Sequence, residues 1–241
     1  GDSGSGKTTI ANLISDIFEE KNTAILQGDD MHKWERGHEM WNEFTHLHPK
    51  ANQLHEELDH LARLKNGDAT VRRRYDHYSG TFTLPKKLES KRVVILEGLH
   101  SLFLHQTRAM LDLKIFTNPH EHLRLHWKIL RDTEERGHSK EAVLAQVKQR
   151  EGDSYQYIQT QEQYADISIS LKNRNPLRNI GDMNELLDIY LEFKCANDVD
   201  FDPLLNRLSE FEGVVVDCAV RDAYQVVHAQ GEVRAEVIAE I

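Results

Sequence analysis

The first 171 residues alternate between short apolar runs and longer segments whose apolar residues recur three and four positions apart. Buried strands are predicted in TAILQGDD, RVVILEGLH, DLKIF and YADISISL, where the apolar residues are continuous. Amphipathic helices are predicted in TTIANLISDIFEEK, ANQLHEELDHLARLKNG and NPHEHLRLHWKILRDTEERG. The third helix is expected to be capped by Asn118 and to end at Gly137. Strands that alternate with helices predict a parallel sheet with helices on both faces.

Two regions depart from this alternation. Residues 31–49 lack periodicity and are rich in histidine, tryptophan and charge, as a substrate-facing loop or short helix is. From Lys172 onwards the pattern is that of a small α+β unit. Its predicted segments are the strand LDIYLEFKC, the helix DPLLNRLSEF and further β structure in GVVVDCAV, AYQVVH and EVRAEVIAEI. We therefore predict a core at 1–171 and a C-terminal α+β appendage at 172–241.

The chain opens with GDSGSGKTT, directly before the first predicted helix. Gly1, Gly6, Lys7 and Thr8 have the spacing of a phosphate loop, whose glycines let successive backbone N–H groups point at phosphate oxygens. Lys7 is expected between the β- and γ-phosphates, and the Thr8 hydroxyl on Mg²⁺. Nucleotide binding is predicted for the whole stretch, which comprises Gly1, Asp2, Ser3, Gly4, Ser5, Gly6, Lys7, Thr8 and Thr9. The fold class is accordingly α/β, with a P-loop NTPase core.

A phosphate loop normally follows a buried strand, which the sequence does not contain before Gly1. An empty central place in a sheet would leave backbone N–H and C=O groups unpaired. We therefore expect the native polypeptide to extend upstream of Gly1 by at least one strand.

Acidic residues stand at the carboxyl ends of two predicted strands, where parallel α/β sheets place their ligands. Asp29, with Asp30 beside it, ends the first strand, and Glu97 ends the second. Phosphoryl transfer needs one carboxylate that accepts the proton of the acceptor hydroxyl and another that orients Mg²⁺ through its water shell. Acids after strands also cap helices, but two of them behind a phosphate loop favour this chemistry.

Basic residues share one face of the third predicted helix. Arg124, Lys128 and Arg131 follow i, i+4, i+7 spacing, and Arg136 lies near the end of the helix. A solvated basic face is one interpretation of this spacing. The alternative is a mobile segment whose cations close over a nucleotide and stabilise charge on the transferring group.

Composition limits the partners. The net charge of −10 argues against a general nucleic-acid binder, and the lack of a run of about 18 apolar residues argues against a membrane span. The two cysteines, Cys195 and Cys218, are predicted to be buried and reduced in a cytoplasmic protein. The fourteen histidines do not have the spacing of a zinc site, so solvent-facing or substrate-facing roles are favoured for them.

Several motifs occur in the order found in the phosphoribulokinase and uridine kinase family, which the chain resembles over most of residues 1–171. They are GDSGSGKTT, GDDMH, RRYDHYSGTF, VVILEGLH, WKILRDTEERGHS and YADI. EGLH, RDTEERGHS and the YDHYSG stretch are more similar to the phosphoribulokinase side of the family.

This resemblance implies an ATP- and Mg²⁺-dependent kinase that transfers the γ-phosphate to a hydroxyl of a pentose phosphate. By the resemblance, Asp29 is the catalytic base, Glu97 is the Mg²⁺-associated acid, and Lys7 and Arg131 complete the catalytic set. His32 and Arg36 are implied to contact the sugar or its phosphate, and Tyr75 and His77 to line the acceptor pocket. Lys128, Arg131 and Arg136 match a lid segment that closes over ATP.

Two alternatives stay open at this point. The acceptor is either a pentose phosphate or, as the second reading, uridine or another nucleoside. A regulatory nucleotide-binding protein without turnover is an interpretation of a different class. A homo-oligomer is compatible with each of them.

Overall fold

The computed structural model describes residues 1–197, 200, 202–210, 214–221 and 224–231. The predicted final strand, EVRAEVIAEI, lies outside the described residues. In the described part, no helix is long and apolar enough to cross a membrane.

Six α-helices are present in the described part of the chain. They are Lys7–Ile17 (α1), Leu54–Lys65 (α2), His105–Met110 (α3), Glu121–Glu134 (α4), Lys140–Asp153 (α5) and Asp202–Ser209 (α6). The apolar periodicity correctly predicted α1, α2, α4 and α6, but α3 and α5 were not predicted. α5 continues directly into a π-helical turn at Ser154–Ile158.

The strands of the described part are numbered in chain order. They are Thr23–Gln27 (β1), Thr70–Arg72 (β2), Tyr75–Asp76 (β3), Thr81–Phe82 (β4), Lys86–Leu88 (β5), Val93–Glu97 (β6), Ile115–Thr117 (β7), Ile167–Asn173 (β8), Ile189–Ala196 (β9), Val215–Val220 (β10) and Tyr224–Gln230 (β11).

The predicted parallel pairing is confirmed in two places. β1 runs parallel to β6 with Gln27 opposite Glu97, and β7 runs parallel to β8. β9, β11 and β10 then extend the β7–β8 sheet in antiparallel order, so the C-terminal strands share a sheet with the core. The boundary at 171/172 falls inside β8 and stays a prediction.

An apolar cavity of about 810 Å³ lies between β6 and β7. Ile10 and Ile14 of α1 line it together with Val94 and Ile115 of the two strands.

The packing of α2 against the sheet holds the ends of β1 and β6 in place. Leu26 of β1, with Leu61 and Leu64 of α2, is almost fully buried, and Leu96 of β6 packs against the same cluster. Each such leucine contributes about 1.5–3 kcal/mol through removal of its side chain from water. This packing therefore fixes the strand ends that carry the acids Asp29 and Glu97.

Two predicted details are wrong. Asn118 does not cap α4, because its backbone N–H donates to the carbonyl of Ile169 in β8 and its side chain donates to Glu162, while His120 takes the cap position. Cys195 is buried, but Cys218 is exposed because it lies on β10, the outer strand of the five-stranded sheet. Both cysteines are free thiols, as predicted.

Candidate active site

The phosphate loop precedes α1 and turns sharply at two glycines. Gly4 and Gly6 have φ values of 82° and 83°, a left-handed conformation that costs glycine little. Gly6 is the N-cap of α1, so the first N–H groups of the helix open towards the loop. Lys7 is half-buried and donates to the carbonyl of Asp2 at 2.7 Å, and its partial removal from water lowers its pKa. This geometry gives the loop the anion-binding form that the motif predicts.

Asp2 ties the loop to neighbouring elements. Its carboxylate accepts hydrogen bonds from the N–H of Ser3 and the hydroxyl of Ser154, both at 2.5 Å, and lies 3.6 Å from the Arg124 guanidinium. Burial raises the pKa of Asp2, but the Arg124 charge and the hydrogen bond from Ser154 outweigh that effect, so the pKa is lowered. Asp2 is therefore an anchor within the loop.

Asp29 follows β1 and lies between two imidazoles. Its carboxylate oxygens lie 3.2 Å from Nε2 of His77 and 3.7 Å from Nε2 of His32. Burial acts to raise the pKa of Asp29, yet the hydrogen bond from His77 and the nearby His32 and Lys7 hold it well below its usual range. These contacts hold Asp29 in its ionised form, and its role as a base stays a prediction.

Glu97 ends β6, next to the strand that carries Asp29. The Thr8 hydroxyl donates to Glu97 Oε1 at 3.3 Å, and burial raises the pKa of Glu97. A hydroxyl and a carboxylate are hard oxygen donors of the kind that Mg²⁺ prefers, and Mg²⁺ keeps several waters and takes phosphate oxygens as further ligands. Within the described residues, no group of three His, Cys, Asp or Glu side chains is arranged to hold a metal ion.

Two of the four residues predicted to contact the acceptor, His32 and His77, flank Asp29, and a third, Tyr75, packs against both of their rings. The Tyr75 ring lies edge-on to His32 at 5.3 Å and to His77 at 5.2 Å. Arg36 donates to the carbonyls of His77 and Tyr78, at 2.5 and 3.1 Å, so its guanidinium holds the β3–β4 hairpin against residues 31–49. Their roles towards a substrate stay predictions.

Three of the four predicted basic residues on and after α4 pair with one buried acid. Asp132 lies 2.6 Å from Lys128, 2.8 Å from Arg131 and 3.3 Å from Arg136. Lys128 and Arg131 also reach the hydroxyl of Ser3 in the phosphate loop, at 3.5 and 3.3 Å. Burial, partly offset by Asp132, lowers the pKa of Lys128 to about 8. The predicted lid cations are thus brought together at the loop, which a freely solvated basic face would not do.

A family model described as "Phosphoribulokinase / Uridine kinase family" matches residues 1–177. The chain belongs to this family. A phosphoribulokinase of Synechocystis sp. is 35% identical over 187 residues, which cover 78% of this chain and 55% of that protein. A uridine kinase of Staphylococcus haemolyticus is 34% identical over 177 residues, which cover 70% of this chain and 84% of that protein.

A solved structure, of the phosphoribulokinase from Rhodobacter spheroides, superimposes with a TM-score of 0.73 over 93% of this chain and 88% of that one. Its sequence identity of 24% makes this a likeness of fold. The predicted P-loop kinase fold is therefore confirmed. The chain spans about half the length of the curated phosphoribulokinases it matches.

Two residues of the candidate site, Asp132 and Asn52, were not predicted from the sequence. Asp132 is one, although its i+4 spacing from Lys128 and to Arg136 is a signal that would have found it. Asn52 is another: its side-chain oxygen lies 2.8 Å from Nδ1 of His32 and orients that ring. No local pattern distinguishes Asn52 from an ordinary polar residue, so only the fold brings it to the site.

The arginines before Tyr75 do not act as one cationic cluster. Arg72 is buried and donates to the carbonyl of Gln27 at 2.8 Å, with Asp30 at 3.4 Å and Glu57 at 3.7 Å. Arg73 lies 3.5 Å from the centre of the Phe82 ring. Arg72 therefore supports the hairpin from beneath, because Asp30 also accepts the N–H of Tyr75 at 2.8 Å.

Proposed function

We propose that this chain carries the catalytic core of a kinase that transfers the γ-phosphoryl group of ATP to a hydroxyl of a pentose phosphate. The observation that carries the proposal is the carboxylate of Asp29, which lies between His32 and His77 and close to Lys7 and Glu97. A nucleotide-binding protein without turnover needs the phosphate loop but has no use for this carboxylate.

Asp29 supplies the proton acceptor of the reaction. As the acceptor oxygen forms its bond to the γ-phosphorus, its proton passes to Asp29 and the bond between the γ-phosphorus and the β–γ bridging oxygen breaks. His32 and His77 hold the carboxylate in place on the side of the acceptor. The leaving electron pair stays on ADP.

The loop and the lid stabilise the phosphates. Loop N–H groups and Lys7 bind the β- and γ-phosphates, and Lys128, Arg131 and Arg136 add positive charge from above the loop. Mg²⁺, bound by Thr8 and associated with Glu97, would neutralise phosphate charge. Asp132 keeps the three cations together before the nucleotide arrives.

A nucleoside acceptor is the second candidate. The chain covers 84% of the uridine kinase of Staphylococcus haemolyticus but only 55% of the Synechocystis phosphoribulokinase. The local charge near Asp29 favours the phosphorylated acceptor instead, since the Arg36 guanidinium donates to the carbonyl of His77, whose ring contacts Asp29.

The deciding experiment measures ADP formation by the full chain with Mg²⁺, ATP and either ribulose 5-phosphate or uridine, with Asp29→Asn as the background. We expect turnover with ribulose 5-phosphate and little with uridine. The reverse preference would assign a nucleoside kinase. ATP binding without turnover on either acceptor would support the regulatory interpretation. Action in the cytoplasm and a homo-oligomeric state stay predictions.

A further inference from the structure

One face of α5 and the π-helical turn that follows it contacts the segment Thr45–His48. Arg150 donates to Nδ1 of His46 at 3.0 Å, and the Thr45 hydroxyl donates to Asp153 at 2.6 Å. The Tyr157 hydroxyl lies 3.3 Å from Nε2 of His48. Positions 150, 153 and 157 are three and four residues apart, so the three contacts form one continuous seam.

The same turn also contacts the phosphate loop. Ser154, next to Asp153, donates its hydroxyl to the carboxylate of Asp2 at 2.5 Å. π-Helical turns occur frequently at functional sites, and this one places neighbouring side chains against both halves of the proposed active site. α5 is therefore the element that links the loop to residues 45–48.

Arg150 differs from the other cations of the site in its partner. Lys128, Arg131 and Arg136 pair with Asp132, whereas Arg150 forms no ion pair with a carboxylate in the part of the chain that the structure describes. It donates instead to an imidazole nitrogen, which can accept only when it is unprotonated. Burial and the Arg150 charge keep His46 neutral by lowering its pKa to about 2.

His46 connects Arg150 to the side chains around Asp29. Its ring stacks on Trp41 with centroids 3.7 Å apart and planes 2° from parallel. It also lies edge-on to His32 at 5.0 Å, and His32 is 3.7 Å from Asp29. By fixing the His46 ring, the Arg150 guanidinium also fixes the position of His32, which packs beside Asp29.

We propose that Arg150 is a positioning residue for the acceptor. Because Arg150 holds His46, the packing of α5 against the phosphate loop is coupled to the arrangement of the side chains on the acceptor side. This inference rests on the proposed kinase function for its kinetic test only. Because coupling between two sites is reciprocal, a bound nucleotide should tighten acceptor binding, and the acceptor should tighten nucleotide binding by the same factor.

The kinetic test compares Arg150→Gln and Arg150→Lys with Lys148→Gln, which removes a charge from an exposed position of the same helix. We expect Arg150→Gln to raise the acceptor KM at saturating ATP roughly 10-fold, to change the ATP affinity measured without acceptor less than about 2-fold, and to be partly rescued by lysine. The double variant Arg150→Gln/His46→Ala should be no worse than the more affected single variant. An equal loss of ATP affinity in the absence of acceptor, the same loss in Lys148→Gln, or additive losses would overturn the proposal.

A second readout does not depend on turnover. Imidazole ¹⁵N NMR, with His46 identified by comparison with His46→Ala, reports whether Nδ1 accepts a hydrogen bond. A non-hydrolysable ATP analogue should shift the His46 signal in the wild type and leave it unchanged in Arg150→Gln. Asp29, His32 and His77 also act on His46, so each titration is compared at one fixed pH. If no acceptor is phosphorylated but this shift is seen, the coupling stands and the kinase proposal fails; no shift in the wild type refutes the coupling.

Discussion

The nucleotide side and the acceptor side of the site are built by different means. On the nucleotide side, cations meet protein oxygens: Lys7 bonds a loop carbonyl, and the lid cations gather on Asp132. On the acceptor side, a carboxylate lies between two imidazoles, His32 and His77, and the Tyr75 ring is edge-on to both of them.

This difference suits two tasks: the nucleotide side binds phosphate groups of any nucleotide, and the acceptor side selects one hydroxyl compound. A phosphate tail presents the same charges in every nucleotide, so a loop of backbone N–H groups and clustered cations suffices. An acceptor must be chosen from many hydroxyl compounds, and rings with fixed orientations discriminate by shape and by hydrogen-bond direction. The consequences of substitutions should therefore differ between the two sides.

The largest effect is expected at Asp132, which is 2% exposed. Asp132→Asn leaves three cations without their common anion, and breaking a buried ion pair from one side costs about 3–5 kcal/mol. We expect that loss in the free energy of unfolding, measured in urea, together with a raised ATP KM. Glu134→Gln on the same helix is exposed and should match the wild type. An unchanged midpoint for Asp132→Asn would mean that the cluster is not a unit.

Asp29→Asn should affect the chemical step alone. We expect kcat to fall roughly 10²-fold or more while ATP affinity is preserved, because the carboxylate faces the acceptor. Steady-state kinetics and nucleotide titration measure the two quantities, with the exposed Asp16→Asn as control. Retention of most of the turnover would remove Asp29 as the base and would erase the distinction between the two sides.

The support beneath the acceptor side should be sensitive to pH. Burial raises the pKa of Glu57 to about 7, and Oε1 of Glu57 has no hydrogen-bond partner in the described part. Since the folded-state pKa exceeds the unfolded one, the stabilisation is complete below about pH 4.3 and is lost as pH rises through about 7. The loss between pH 5 and 8 should be about 2–3 kcal/mol.

Glu57→Gln should remove this part of the pH dependence, as measured by urea unfolding from pH 5 to 8. Glu56→Gln, at the exposed neighbouring position, should retain it. Parallel pH profiles for Glu57→Gln and the wild type would show that the buried carboxyl group does not titrate with folding.

The smallest effect is expected at Arg36, which is exposed and bonds two hairpin carbonyls. Losing one charge-assisted contact of about 1.5 kcal/mol should raise the KM for ribulose 5-phosphate roughly 10-fold in Arg36→Ala. Uridine should be affected less, and Lys33→Ala on the same segment should change neither KM. Equal increases for both acceptors would indicate that Arg36 only braces the hairpin.

The elements of the core were predictable because their signals are local. The phosphate loop lies in one continuous stretch of sequence, and apolar periodicity predicts α1, α2 and α4. α5 was missed because its pattern is weakly amphipathic, although Ser139 caps it by accepting the N–H of Ala142. That helix carries Arg150, so the omission also concealed the link to the acceptor side.

The sequence by itself determined which residues can bind phosphate and which acids end the strands, since motif spacing and strand ends are properties of short stretches. Only the tertiary structure decided how the charges are used. Arg72 is buried beside Asp30 and Glu57, whereas Arg36 is exposed and donates to two hairpin carbonyls, and nothing local separates these two arginines. Likewise, His32 and His77 are 45 positions apart in sequence and meet at one carboxylate. Long-range packing makes these assignments, because a charge acquires its role from the groups that surround it and the fold brings those groups together.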